Sequence, residues 1–326
     1  MNKSYRRICP KCWEQTTKKD GIRKGRQSYR CWNCAHVRIR PARRKAGIDP
    51  ERIYQDFSLH KQTYRELADT HGISIRTVQR YLDAYTIPLA EPPQPTQIVL
   101  LIDTTYFGDT GIMLFKDAGS KDVLHVEIVA YETNEGYRRW VQYLQEQWRI
   151  IRAIVSDGRR GLLGWFWGIP TQMCQYHQSQ IIRRYITKNP LLPPNRELQG
   201  IVKRLYRTDK ESFQSRLDNR CQKHRTFLLE RGRNSKGKSY YIHKRTRSAY
   251  YSLKRNLPYL FVYLEYLEEI DIPNTTNGIE SVFSHLKYKV NLHRWLSLPR
   301  KIKLIQYLLP LENSHTFLSI KPHLLH

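Results

Sequence analysis

Between Gln97 and Asp157 the apolar residues fall into two patterns. Ile98–Ile102 is an unbroken apolar run, rich in β-branched residues, that leads directly into Asp103. Such a run reads as a strand buried on both faces. Gly111–Asp117 and Val123–Tyr131 repeat the strand pattern after short turns at Phe107–Thr110 and Ala118–Asp122, which gives an antiparallel meander. Thr133–Ile150 changes period: Tyr137, Trp140, Val141 and Leu144 recur at helical spacing. Ile150–Gly158 returns to an apolar run, with a fourth strand over Ala153–Ser156 that ends in Asp157 and Gly158. Gly168–His177 reads as a further short strand entering a helix, and Ser179–Asn189 carries that helix on with Arg183, Arg184 and Lys188.

Three antiparallel strands, a helix and a strand returning beside the first is the order of a ribonuclease H-like α/β core. In that order the first and fourth strands are neighbours, so Asp103 and Asp157 are expected side by side. Carboxylates at strand ends occupy the place where open α/β sheets gather their ligands. Asp109 is a second acid close to the first strand, but Asp103 is preferred because it is expected to end the strand.

Upstream the pattern is helical. Pro50 suits a first helical position with Asp49 as cap. Tyr64, Leu67 and Ala68 form one apolar face, Gly72 supplies a turn, Ile73 plugs the core, and Ser74 caps a helix that turns Val78, Tyr81 and Leu82 inward. Arg76, Thr77, Gln79 and Arg80 are left facing out. This reads as a helix-turn-helix whose second helix suits a DNA major groove; a plain helical hairpin is the alternative.

The first 34 residues hold Cys9-x-x-Cys12 and Cys31-x-x-Cys34 with 18 residues between the pairs. Four thiolates at this spacing suit one tetrahedral zinc ion. Gly21 and Gly25 are expected to mark turns, with a short strand at Ser28–Arg30. Tyr5, Trp13, Tyr29 and Trp32 are interleaved with basic residues, either facing DNA or filling the small core around the metal.

These segments divide the chain into a zinc ribbon at 1–46, a helix-turn-helix at 47–87 and a linker at 88–96 with the proline-rich run Pro88–Pro95. A catalytic domain follows at 97–326. Within it, residues about 194–272 read as a helical insertion; Lys203–Arg255 holds 17 Lys/Arg against 4 Asp/Glu, a DNA-binding surface or a solvated charged face.

Charge sharpens this. The chain of 326 residues has a formal net charge of +27, which calls for a polyanionic partner, nucleic acid first. Residues 98–157 run the other way, with 9 Asp/Glu against 6 Lys/Arg, as expected of a patch that faces metal ions. No apolar run approaches the ~20 residues of a membrane span, and no signal-peptide pattern is visible, so an intracellular, cytoplasmic protein without membrane contact is expected.

Glu280 falls early in a helix that follows IPNTTN, with Asn277 as expected cap and Ile279, Val282, Phe283 and Leu286 as the apolar face. It supplies a third carboxylate. Cys174-x-x-His177 is by itself a pattern that packing residues also give.

Taken in order, CPKC…CWNC, the helix-turn-helix, LIDTTYF, VSDG, CQYH, the helical segment, TTNGIE and HRWLS resemble the Mutator-like DDE transposases of bacterial insertion sequences, in the variant with an N-terminal zinc ribbon. Trp295 departs from the glycine usual there. The resemblance implies that Asp103, Asp157 and Glu280 are a catalytic triad and that Cys174 and His177 form the family's motif beside it. It implies two Mg²⁺ (or Mn²⁺) ions at the triad, with Asp103 bridging and His177 positioning the scissile phosphate. It implies DNA nicking and strand transfer on double-stranded DNA, both terminal inverted repeats and target, by a homodimer or higher synaptic assembly in a bacterial, nucleoid-associated setting. Two rival readings stay open: a catalytically silent DNA-binding regulator, and a ribonuclease H-like nuclease without joining activity.

Overall fold

A computed structural model describes residues 8–14, 17–39, 48–60, 62–87, 97–147, 149–293 and 295–309. The proline-rich linker at 88–96 and Tyr5 lie outside the described residues. The chain divides into two compact units, Met1–Phe57 with Tyr64–Tyr85, and Ser58–Thr63 with Thr86–His326.

In the first unit, β1 (Thr17–Arg23), β2 (Arg26–Cys31) and β3 (Val37–Ile39) form an antiparallel sheet in that order. Lys24 and Gly25, both at positive φ, make a two-residue hairpin loop between Arg23 and Arg26, the geometry that matches strand twist. Gly21 is not a turn. It lies inside β1 at φ +81°, where the register shifts between Lys19 and Ile22, so it forms a bulge. Tyr29 is buried, whereas Trp13 and Trp32 are exposed and Lys18 Nζ lies 3.6 Å from the Trp32 ring centre.

Three helices complete this unit: α1 (Pro50–Ser58), α2 (Tyr64–His71) and α3 (Ile75–Ala84). Asp49 Oδ1 accepts the Glu51 N–H at 3.0 Å. Gly72 turns the chain at φ +57°, and Ser74 Oγ caps α3 by accepting the Thr77 N–H at 3.2 Å. Ile53, Phe57, Leu67, Val78 and Leu82 are buried.

The second unit is α/β. Its mixed five-stranded sheet contains β4 (Gln97–Phe107), β5 (Thr110–Asp117), β6 (Val123–Val129), β7 (Ile150–Ser156) and β8 (Thr171–Met173), ordered β6-β5-β4-β7-β8. The first three are antiparallel neighbours, and β7 runs parallel to both β4 and β8. The β4 strand does not stop at Asp103. Its parallel pairing ends at Leu101↔Val155, but antiparallel pairing continues from Asp103↔Leu114 to Phe107↔Thr110. Asp103 therefore sits where β4 loses one of its two neighbours. Asp109 is exposed in the β4–β5 turn.

Between β6 and β7, α4 (Asn134–Glu146) covers one sheet face. It is shorter than the sequence pattern suggested, ending at Glu146 with Ile150 already in β7. Thr133 caps it, accepting the Gly136 N–H at 3.0 Å. Ile98, Leu100 and Ile102 alternate onto the α4 face and share a core with Tyr137, Trp140 and Leu144. The opposite face receives α11 (Asn277–Leu292), followed by α12 (Leu298–Leu308). A side-chain carbon added at Gly278 of α11 would stand 3.1 Å from Leu101 Cδ1.

The remaining helices build a second core. They are α5 (Gln175–Ile186), α6 (Pro193–Lys203), α7 (Lys210–Lys223), α8 (Arg225–Leu229), α9 (Lys244–Leu260) and α10 (Val262–Glu265). Ile182 and Ile186 of α5 pack with Leu198, Phe213, Leu217, Tyr250 and Leu253, so this core begins before residue 194. Between α8 and α9 a short hairpin pairs β9 (Arg231–Arg233) with β10 (Ser239–Tyr241) across the loop 234–238.

Candidate carboxylate site and the four-cysteine cluster

Strand alternation brings the carboxylates to one face. Leu101 points toward α11, so Asp103, two residues on, shares that face. Val155 pairs with Leu101, and Asp157 lies two residues beyond it. Asp103 is 8% exposed, and its Oδ1 accepts the Thr104 N–H at 2.8 Å. Asp157 leaves β7 in a tight turn in which its Oδ1 accepts the Arg159 N–H at 3.0 Å. Gly158 holds this turn at φ +83°, and an added Cβ there would meet Met173 Cε at 2.2 Å.

Glu280 stands in the first turn of α11. The cap position is Thr276, not Asn277, and Thr276 makes no side-chain cap bond. Thr276 is fully buried and occupied elsewhere: its N–H and hydroxyl donate to Cys174 Sγ at 3.3 and 3.4 Å, and the hydroxyl lies 3.4 Å from His177 Nδ1. Cys174, fully buried at the head of α5, donates its N–H to Ser156 O at 2.8 Å. Cys174 and His177 thus tie the end of β7 to the start of α11. His177 Nε2 comes within 3.8 Å of Glu280 Oε1, and that oxygen is buried with no hydrogen-bond partner.

The electrostatics follow from this crowding. Burial, then the charge of Asp157, pushes Asp103 up to about 7, although the His177 charge opposes the rise. Burial works against the charge of His177, but the hydrogen bond and charge of Cys174, with the fields of Asp103 and Asp157, outweigh it and lift the imidazole to about 9. Cys174 is drawn down: burial opposes its ionisation, and the hydrogen bonds from His177 and Thr276 prevail.

A fourth acid, Glu132, belongs to this end of the sheet and escaped the sequence reading. Burial and the charge of Asp157 raise its pKa. It accepts a hydrogen bond from Tyr137 Oη at 2.9 Å and pairs with Arg159 at 3.0 Å. Arg159 also donates to Asn134 Oδ1 at 2.7 Å, fastening the Asp157 turn to the start of α4. The available signal was topological: β6 is parallel to β4, so a residue just past β6 reaches the edge that Asp103 and Asp157 share.

Among the described residues, Cys9, Cys12, Cys31 and Cys34 are a group whose ligand atoms all lie within 4.8 Å of one another. The three carboxylates do not meet that measure. Cys9 and Cys34 sulfurs are 3.5 Å apart, and those of Cys12 and Cys31 3.6 Å. A tetrahedron with ~2.3 Å zinc–sulfur bonds has sulfur–sulfur edges of roughly 3.8 Å, so the four can bind a structural metal ion such as zinc. Each knuckle closes through a positive φ directly after its second cysteine, at Trp13 (60°) and Ala35 (52°).

On α3, Arg76 and Arg80 are exposed while Gln79 is half-buried. Thr77 is less free than the sequence suggested, because its hydroxyl lies 2.9 Å from Ser74 Oγ within the cap. No helix among the described residues is long and apolar enough to cross a membrane. No protein-family model matches the sequence, and a search of curated proteins finds no match.

Proposed function

We propose that this protein is a DNA transposase of the DDE class, nicking transposon ends and transferring the freed 3′ strand into target DNA. The observation that carries the reading is the convergence of Asp103, Asp157 and Glu280, from two parallel strands and a distant helix, beside one imidazole. The sheet order, an antiparallel meander with two parallel strands added beside β4, supports a ribonuclease H-like core.

Oxygen donors of this kind suit Mg²⁺ or Mn²⁺. The orphaned buried Oε1 of Glu280 and the raised pKa of Asp103 are what a carboxylate cluster displays when its negative charge lacks a cation. Asp103, Asp157 and Glu280 would hold the ions. Two ions ~3.5–4 Å apart do not require all three carboxylates within one ligand shell. When bound, they supply Lewis-acid polarisation of the scissile phosphate and an activated oxygen nucleophile. His177, cationic at neutral pH, holds a phosphate oxygen beside Glu280. Cys174 and Thr276 fix the imidazole, and Arg159 fixes the turn that carries Asp157.

The cysteine ribbon, with zinc as its structural ion, and α3, through Arg76, Thr77, Gln79 and Arg80, would read the terminal repeats. A pair of chains would bring two ends together.

The test is metal-dependent cleavage and strand transfer on DNA carrying the element's ends, wild type beside Asp157→Ala. Nicking and joining by wild type alone supports the reading. Cutting without joining makes the protein a nuclease, and binding without cutting under any divalent ion makes it a regulator.

A further inference from the structure

Beside the Asp157 turn lies a cavity of about 930 Å³ that the carboxylate chemistry does not use. Its walls come from the Gly158–Gly161 turn, the short helical turn Leu163–Trp165, α5 and α9. No Asp or Glu lines it, but five arginines do. Two of these are engaged within the fold: Arg159 with Glu132 and Asn134, and Arg245 with the Arg184 carbonyl at 2.6 Å. The guanidinium groups of Arg160, Arg184 and Arg255 have no hydrogen-bond or carboxylate partner among the described residues. Between them stand three aromatic side chains: Trp165, exposed, and Tyr185 and Tyr259, which rest on the helical core.

Three exposed arginines around one concavity with no acid among its walls make it a site of positive potential that attracts an anion. Aromatic faces interleaved with arginines are the means by which proteins hold unpaired nucleotides, with rings stacking on bases while cations track phosphates. The volume lies within the ~300–1,000 Å³ of small-ligand pockets. That suits a short stretch of splayed nucleotides.

We propose that this cavity binds an unpaired nucleotide segment of single-stranded DNA. Phosphates meet Arg160, Arg184 and Arg255, and a base stacks on Trp165. The role of such a segment, a strand end delivered to the carboxylates, rests on the transposase reading; the binding itself does not.

The experiment is binding of a short single-stranded oligonucleotide carrying 2-aminopurine to the full-length protein in magnesium-free buffer. The same sequence as duplex and a free mononucleotide serve as competitors. Arg184→Ala and Arg255→Ala are each expected to weaken single-strand binding about tenfold, with partial rescue by lysine. Trp165→Ala should abolish most of the base quenching and leave duplex affinity unchanged. Circular dichroism and thermal unfolding establish that each variant is folded. Unchanged affinity and quenching in folded variants overturn the proposal. So does a mononucleotide that binds as tightly as the oligonucleotide, since the cavity would then take a free nucleotide. Wild-type cleavage decides the enzymatic reading separately: a chain that never cuts but binds single strands through Trp165 keeps this inference and loses the other.

Discussion

His177 Nε2 and Glu280 Oε1 stand 3.8 Å apart, and the carboxylate oxygen is buried without a hydrogen-bond partner. The two residues come from α5 and α11, joined through Cys174 and Thr276. This is a cation held next to a carboxylate but not satisfying it, an arrangement that leaves both groups able to engage something between them. His177→Gln removes the charge and keeps a donor. It is expected to lower metal-dependent cleavage by ~10²-fold or more, and, because the fold lifts the imidazole to about 9, to lower the thermal midpoint at neutral pH by an amount that fades as pH rises through 9. A variant that cleaves like wild type would remove His177 from the site.

His125 gives the fold a pH dependence of its own. It is buried, both ring nitrogens lack partners, and its ring stacks on Trp140 at 3.5 Å. Burial, helped by the Arg139 charge, pushes its pKa down to about 3 from an ordinary 6.5. A histidine whose folded value is depressed contributes stability that is complete above 6.5 and is lost as pH falls toward 3. At pH 5 the loss is about 2 kcal/mol relative to pH 7.5. Denaturant unfolding at the two pH values should show wild type losing about 2 kcal/mol more stability than His125→Phe, which keeps a stacking ring but does not titrate, while Asp103 and His177 titrate alike in both proteins and cancel in the comparison. Equal pH dependence in the two proteins would mean that His125 is not held neutral.

Gly158 is constrained twice over. Its φ of +83° disfavours any side chain, and an added Cβ would lie 2.2 Å from Met173 Cε. Gly158→Ala is expected to cost about 2–4 kcal/mol and to disturb the adjacent Asp157. Thermal unfolding measures the first effect. If the variant is as stable as wild type, the turn is not built as described.

The parts of this architecture that follow a simple period were legible in the sequence. Ile98–Ile102, Gly111–Asp117 and the Tyr137–Leu144 helix appear where their spacing places them, and Ser74 caps α3 as its position before the apolar face suggests. What escaped is set by pairing across the chain. Nothing local indicates that β4 outlasts its parallel neighbour, because β5 alone keeps Asp103–Phe107 extended. Gly21 looks like a turn until its strand partner makes it a bulge. Asn277 looks like the cap of α11, but the cap position falls on Thr276, whose hydroxyl is drawn to Cys174, about a hundred residues away in sequence. Glu132 needed the direction of β6, and the arginine cavity needed α5 and α9 side by side. Local chemistry was visible in the cysteine spacing because both knuckles are short and self-contained.

That self-containment makes the ribbon the sharpest test of metal dependence. Around the four sulfurs, the described residues of the ribbon bury little besides Cys9, Ser28, Tyr29 and Cys31. A core this small does not by itself hold three short strands together, so an ion held by the four cysteines would supply much of the ribbon's stability. Cys31→Ser replaces a buried cysteine with a poor zinc ligand and leaves three. Wild type purified without chelator should carry about one zinc per chain, and the variant far less. Trypsin should then cut the variant within Thr17–Ile39, at lysines and arginines that the wild type protects, while the sheet unit beginning at Gln97 stays resistant in both. Chelator treatment of wild type should reproduce the variant's pattern, and zinc should reverse it. A metal-free ribbon that resists trypsin as well as the loaded one would show that the four cysteines are held by the fold and do not themselves hold it through a metal.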